Sequence, residues 1–179
     1  MLFLCNGIFV FASSLLGPLY AIYVQHLGKG VLTISFTSTV FLLATTLFTV
    51  ALSRFKDGWV RKEHFLIAGF LIRAVVWITF LLITNITELV VLQILLGAGE
   101  ALGNSSFDAV FAEHLDKNLH VAEYADWQII MNVLTATATF IGGILMTLYG
   151  FSILFITMSS FALISSLILA LKPKNILMN

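Results

Sequence analysis

Six apolar runs, each near the length of about 20 residues that carries an α-helix across a hydrocarbon core of about 30 Å, follow one another almost without interruption along the 179-residue chain. They extend from Leu2 to Val24, Val31 to Ser53, His64 to Ile83, about Glu88 to His114, about Trp127 to Tyr149, and Phe151 to Leu171. Turn and breaker residues punctuate them: Gly28-Lys29-Gly30 after the first, Gly150 between the fifth and sixth, and Lys172-Pro173-Lys174 after the last. Such a chain is built for lipid. Its composition agrees, since 60% of the residues are apolar and 10% charged, against about 25% charged in a soluble domain. The expected fold is an all-α integral membrane protein of six transmembrane helices.

The connections are a few residues long except between the second and third helices and between the fourth and fifth, which leaves no room for a soluble domain. Residues 1–179 therefore read as a single six-helix transmembrane domain. The first run has no positive leader and exceeds the roughly 7–15 apolar residues of a secretory signal, so it reads as a retained helix. Net charge is zero and no acidic or basic tail suggests a nucleic-acid partner. Cys5, the lone cysteine, has no internal partner for a disulfide.

Basic residues orient the chain. Arg54, Lys56, Arg61, Lys62, Lys117, Lys172 and Lys174 fall on one side of the six spans, and Lys29 falls on the other. Lys and Arg in short loops stay cytoplasmic. Both termini are therefore expected inside the cell, with the protein in the inner or plasma membrane and Gln25 to Gly30, Thr84 to Thr87 and Tyr149-Gly150 outside.

Shifting the chain by 88 residues lays Ala21-Ile22-Tyr23-Val24-Gln25-His26-Leu27-Gly28-Lys29 over Ala109-Val110-Phe111-Ala112-Glu113-His114-Leu115-Asp116-Lys117, with four of nine positions identical. The first copy closes the first helix and the second closes the fourth, and these helices end on opposite sides. That is the pattern of a 3+3 inverted repeat, with units of about 1–85 and 86–179.

The segment Ser53 to Lys62 is the densest cluster of charge in the protein. It resembles the signature between the second and third helices of the major facilitator superfamily, Gly-x-x-x-Asp-[Arg/Lys]-x-Gly-[Arg/Lys]-[Arg/Lys]. Asp57, Arg61 and Lys62 match, while Ser53, Gly58 and Val60 stand where the first glycine, the first basic residue and the second glycine belong. Gly17-Pro18, Gly97-x-Gly99-x-Ala101 and Gly142-Gly143 agree in place with other features of that family. Gln93 stands where the fourth helix of the family often carries arginine, and Gly142-Gly143 is what is present of the antiporter glycine series, so the resemblance does not extend to an antiporter.

A full-length member has twelve helices in two halves, so this chain resembles one amino-terminal half. The resemblance implies a membrane transporter that moves a small solute by alternating access, with substrate near midplane between two halves and with proton or cation coupling as an option. A homodimer, or pairing with a second half-carrier, would supply the missing half. By the same resemblance, Asp57, Arg61 and Lys62 are candidates for a cytoplasmic loop latch; the alternative is that Arg61 and Lys62 only anchor topology. A reading of a different class is a non-transporting accessory or regulatory subunit, or a truncated carrier.

Ionisable groups inside a span cost about 2.5–3.5 kcal/mol on insertion scales and usually face a bundle interior or a cavity. Arg73 lies eleven residues beyond Lys62 in the third helix, roughly 16 Å deep at about 1.5 Å per residue. Glu100 lies twelve residues into the fourth helix from the other side, roughly 18 Å deep by the same rise. The depths match, so an ion pair between the two helices is feasible, either as mutual neutralisation or as a cavity site in which Arg73 sets the ionisation of Glu100. Glu100, Asn104 and Asp108 step by four along one face, a spacing that suits either a water-filled path or helix packing. Asn6 joins them as a pathway candidate in the first helix. Tyr20 and Tyr23 read as anchors at the membrane boundary.

Little points to catalysis. His26, His64, His114 and His120 are dispersed without metal-ligand spacing, Cys5 has no base nearby in sequence, and Gly97-x-Gly99 with Gly103 lies inside an apolar helix rather than in a phosphate-binding loop. The expectation is no enzyme, no cofactor and no metal, with the bilayer, a small solute and a second half as partners.

Overall fold

A computed structural model of the protein describes residues 2–27, 30–54, 62–113 and 120–171, and every element among them is a helix. The elements are α1 (Leu2–Ser14), α2 (Leu19–His26), α3 (Val31–Leu52), α4 (Lys62–Thr79), α5 (Ile86–Glu113) and α6 (His120–Leu171).

The first apolar run is divided. Pro18 has no N–H to give the preceding turn, and its ring crowds the carbonyl of Ser14. So α1 stops at Ser14, α2 starts at Leu19, and their axes are bent by 45°. The carbonyl freed at Ser14 accepts a hydrogen bond from Thr139 Oγ1 at 3.3 Å, and Ser14 Oγ donates to Thr135 Oγ1 at 3.3 Å. The break in one helix is thus satisfied by hydroxyls of another.

α3 carries several threonines in an otherwise apolar span. The hydroxyls of Thr37, Thr39, Thr45 and Thr46 each donate to the carbonyl four residues earlier, which removes their polar cost within the helix. α5 opens on a reciprocal cap. Asn85 Oδ1 accepts from the Glu88 N–H at 3.0 Å, while Glu88 Oε2 accepts from the Thr84 and Asn85 N–H groups at 2.8 and 3.4 Å. That cap starts the helix at Ile86, ahead of the Glu88 expected from hydropathy.

α6 is 52 residues long; a straight helix of that length would reach about 78 Å, more than twice the roughly 30 Å of a hydrocarbon core. Gly150 interrupts it with φ 78 and ψ −178, a conformation that glycine adopts at no steric cost. Ring contacts give the directions on either side. Before Gly150, α6 runs with α1, since Phe3 meets Trp127 at 5.1 Å and Gly142 lies against Leu15. After it, α6 runs against them, since Phe11 meets Phe161 at 5.9 Å and Tyr23 meets Phe151 at 5.2 Å. The chain therefore doubles back at Gly150. The start of α6 is a correction to the sequence reading. The polar stretch Asp116 to Asp126 was expected to be a connection, yet it is helical from His120, because polar Glu123 and Asp126 end the hydropathy signal without ending the helix.

Among the described residues, three helices are long and apolar enough to cross a membrane, Val31–Leu52, Ile86–Glu113 and Val121–Leu171, and a fourth is added if α1 and α2 make one bent span. α4 falls outside that measure because Lys62, Glu63 and Arg73 lie within its 18 residues. Its burial says otherwise about its place, since Leu66, Phe70, Ala74, Val76 and Trp77 are all buried.

Aromatic side chains fill the centre. Phe9 stacks on Phe70 at 4.1 Å, Phe80 stacks on Phe155 at 5.2 Å, and Tyr23 meets both Phe80 and Phe155 edge-on. Ser159 Oγ ties α6 to α4 by donating to the Ala74 carbonyl at 2.8 Å. Tyr23 is buried against its neighbours at one end of the bundle, and its hydroxyl donates at 2.7 Å to the Phe80 carbonyl just past the end of α4. An inward-facing phenol needs an acceptor, and the frayed carbonyl at a helix end provides one. Tyr23→Phe is expected to cost about 1 kcal/mol, the net value of one such bond, measured as a lowered unfolding midpoint with unchanged helical content.

The starts of α1, α4 and α6 share one end of the bundle with the end of α5. Phe3 touches Phe111 and Trp127 at 5.6 and 5.1 Å, and Lys62 forms an ion pair with Glu113. Tyr23, Phe80 and Phe151 mark the opposite end.

Candidate functional site

The contact between α4 and α5 is built on glycine. A Cβ placed on Gly69 would lie 2.6 Å from Gly103 N and 2.8 Å from Gly99 O, so the two helices meet backbone to backbone at that level. One turn further along α4, Arg73 lies across the same groove, its Cγ 2.9 Å from where a Cβ on Gly99 would be. The two α5 glycines leave the space in which an arginine folds inward rather than toward a boundary.

Arg73 is 3% exposed. Its Nη2 donates to Glu100 Oε2 at 2.5 Å and to Asn104 Oδ1 at 3.4 Å. Asn104 Nδ2 in turn donates to Glu100 Oε1 at 2.5 Å, so each carboxylate oxygen has one partner. The Arg73 guanidinium carbon sits 4.6 Å from the centre of the Phe9 ring, a cation–π contact that offers the charge a face on the α1 side. Its Nε is buried without a partner. Exposure is graded across the cluster: Arg73 is sealed, the Glu100 side chain is 29% exposed, and Asn104 is exposed. The Glu100 carboxylate is thus held on one side by a buried guanidinium and open on the other.

Of the residues singled out from the sequence, the structure thus brings together Arg73, Glu100 and Asn104. Asp108 lies one turn further along α5, exposed, with no ion pair or hydrogen bond to another described residue. Asn6 is buried in α1 at 8% exposure, and no hydrogen bond joins it to the Arg73 cluster. Asp57 and Arg61 lie outside the described residues. Lys62 opens α4 and pairs with Glu113 at the end of α5, a partner the sequence reading did not single out.

A second polar cluster was also missed. The Tyr20 hydroxyl donates to Thr37 Oγ1 at 2.6 Å, joining α2 to α3, and the side chain of Gln93 on α5 lies against the same hydroxyl. Thr37 is fully buried and Gln93 is 4% exposed. The available signal was a glutamine at a position where the resemblance expects arginine: a buried amide needs polar neighbours, and Tyr20 is the nearest aromatic hydroxyl to the α1 break. A cavity of about 730 Å³ lies elsewhere, among α1, α5 and α6, and neither polar cluster lines it.

The chain matches the family model of the Major Facilitator Superfamily over residues 2–175. No curated protein and no solved structure matches it. The family match runs through all six helices described above, including the ion pair between α4 and α5, so the chain belongs to the major facilitator superfamily and is a membrane transporter in its general class.

Proposed function

We propose that two copies of this chain, each contributing six transmembrane helices, form one carrier that moves a small solute by alternating access, with Arg73, Glu100 and Asn104 on its path. The observation that carries this reading is the uncovered polar stripe: Glu100 is partly exposed and Asn104 and Asp108 are exposed within a helix long enough to span the membrane. Against acyl chains such groups are costly, so in a bilayer that face requires water or a second subunit. The six spans are α1 with α2, α3, α4, α5 and the two parts of α6 around Gly150. Tyr23 and Phe111, which the shift of 88 residues aligns, sit in aromatic clusters at opposite ends of the bundle, which supports the inverted repeat of units 1–85 and 86–179. Lys62 at the end of the bundle that holds the start of α1 supports cytoplasmic termini in the cell membrane.

The test is the stoichiometry of the protein in lipid nanodiscs by native mass spectrometry, together with thiol labelling of Asn104→Cys. A dimer whose introduced cysteine reacts with a water-soluble reagent is the expected result. A strict monomer with a protected cysteine overturns the carrier reading in favour of an accessory subunit or a truncated carrier.

A further inference from the structure

We propose that a row of uncharged polar side chains on the first part of α6, Tyr124, Gln128, Asn132 and Thr135, forms a second wall of the solute path, opposite Glu100, Asn104 and Asp108 on α5. The inference rests on the carrier reading above and adds to it residues outside the Arg73 cluster. The four positions step by four, four and three residues, so they lie along one face of the helix. All four are exposed. Trp127, Met131, Leu134 and Ala138 are the covered positions on the same stretch, and the apolar cavity takes Ile130 and Leu134 from α6 but none of the four. The row is therefore a flank of its own.

Hydroxyls elsewhere on α6 show how this helix meets lipid. Thr137, Thr147 and Thr157 each donate to the carbonyl four residues earlier, at 2.8, 2.7 and 2.8 Å, and a hydroxyl satisfied in this way can face acyl chains. An amide carries two N–H donors and a carbonyl, more than its own turn of helix satisfies. Gln128 Nε2 donates to Tyr124 Oη at 3.1 Å, which leaves its carbonyl open, and Asn132 makes no hydrogen bond to another described residue. Exposed amides in that condition are costly against hydrocarbon. This flank requires water or a polar solute.

Ring contacts set its depth. Trp127 meets Phe107 at 5.1 Å and Phe111 at 5.8 Å, so it lies level with the turn of α5 between them. α5 ends at the end of the bundle where α6 begins, so the two run in opposite directions. Five residues onward along α6 is Asn132, and five residues back along α5 from the middle of that turn is Asn104. By the same count Gln128 lies level with Asp108. α1 touches both helices, with Phe3 meeting Phe107 and Trp127. Two polar rows thus share one depth range on the two helices beside α1, one bearing carboxylates and the other uncharged donors and acceptors.

The test is the rate at which a permanently charged methanethiosulfonate labels single cysteines in the full chain in lipid nanodiscs. The positions are Gln128, Asn132, Asn104 and Thr137, each replaced by cysteine, and the unaltered chain, whose Cys5 is buried, is the blank. All four positions are exposed, so the variants keep the fold. The expected result is that Gln128→Cys and Asn132→Cys react about as fast as Asn104→Cys and about tenfold or more faster than Thr137→Cys, because the reagent does not enter hydrocarbon. If Asn104→Cys reacts while Gln128→Cys and Asn132→Cys are as slow as Thr137→Cys, this proposal is overturned and the carrier reading stands. Equal, fast labelling at all four positions also overturns it, since α6 would then be wet on every side. Protection at all four removes the wall and the carrier reading together.

Discussion

Replacing Glu100 with alanine is expected to destabilise the protein by about 3–5 kcal/mol, the scale of leaving one member of a buried ion pair without its partner. Arg73 is 3% exposed and stays protonated at any physiological pH, so it would keep a full charge among Phe9, Phe70 and the glycine face of α5. The long contact to Asn104 Oδ1 at 3.4 Å and the Phe9 ring would be what is left to hold it. The reverse substitution is asymmetric. Arg73→Met removes the sealed charge and leaves Glu100, which is 29% exposed and still bonded to Asn104 Nδ2. It is expected to cost about 1–2 kcal/mol, in the range for one polar group that loses a partner. Unfolding midpoints of the two variants in the same lipid decide the matter, and equal losses would show that water screens the pair from the open side. Glu100→Gln keeps an oxygen for Nη2 but not the counter-charge of Arg73, so it is expected to lose less stability than Glu100→Ala. At equal amounts of folded protein, it is the variant in which loss of solute flux reports on the carboxylate charge.

The ion pair was legible in the sequence because depth along a helix is simple arithmetic, and two charges at matching depth in antiparallel spans have few other places to go. Its surroundings were not. That Phe9 covers the guanidinium depends on how α1 is rotated, and residue spacing in α4 and α5 carries no information about that rotation. The apolar runs located the helices, and the bend between α1 and α2 falls at Gly17-Pro18 because proline acts through its own missing N–H and needs no partner to break a helix. Hydropathy failed at the start of α6 for a physical reason: it detects where lipid ends, while helix formation continues through Glu123 and Asp126 into the polar boundary. The partner of Tyr23 was not legible either: its hydroxyl turns inward at the end of the bundle because a neighbouring helix presents a free carbonyl at Phe80, which residue spacing in the first run does not show.

Gly142 and Gly143 are adjacent and chemically identical, yet alanine at the two positions is expected to act with opposite sign. A Cβ on Gly142 would collide with the Leu15 carbonyl oxygen, with the Leu15 carbonyl carbon at 2.9 Å and its Cα at 3.1 Å. That backbone has little freedom to yield. Leu15 lies in the break between α1 and α2 with its side chain 1% exposed, and the preceding carbonyl is held by Thr139 from α6 itself. Gly142→Ala must therefore push α6 away from the break, at a cost of about 1–3 kcal/mol typical of overpacking. A Cβ on Gly143 would meet nothing within 4 Å. There alanine relieves the entropy cost of glycine in a helix and is expected to stabilise by about 0.5–1 kcal/mol. Unfolding midpoints measured side by side should place Gly143→Ala above the unaltered protein and Gly142→Ala well below it. If Gly142→Ala matched or exceeded Gly143→Ala, then α6 would not rest on the α1 break, and the hydroxyl bridge from Thr135 and Thr139 to Ser14 could not form. The first glycine of the pair thus sets how closely α6 approaches the bend in the first span, and the second is free to vary.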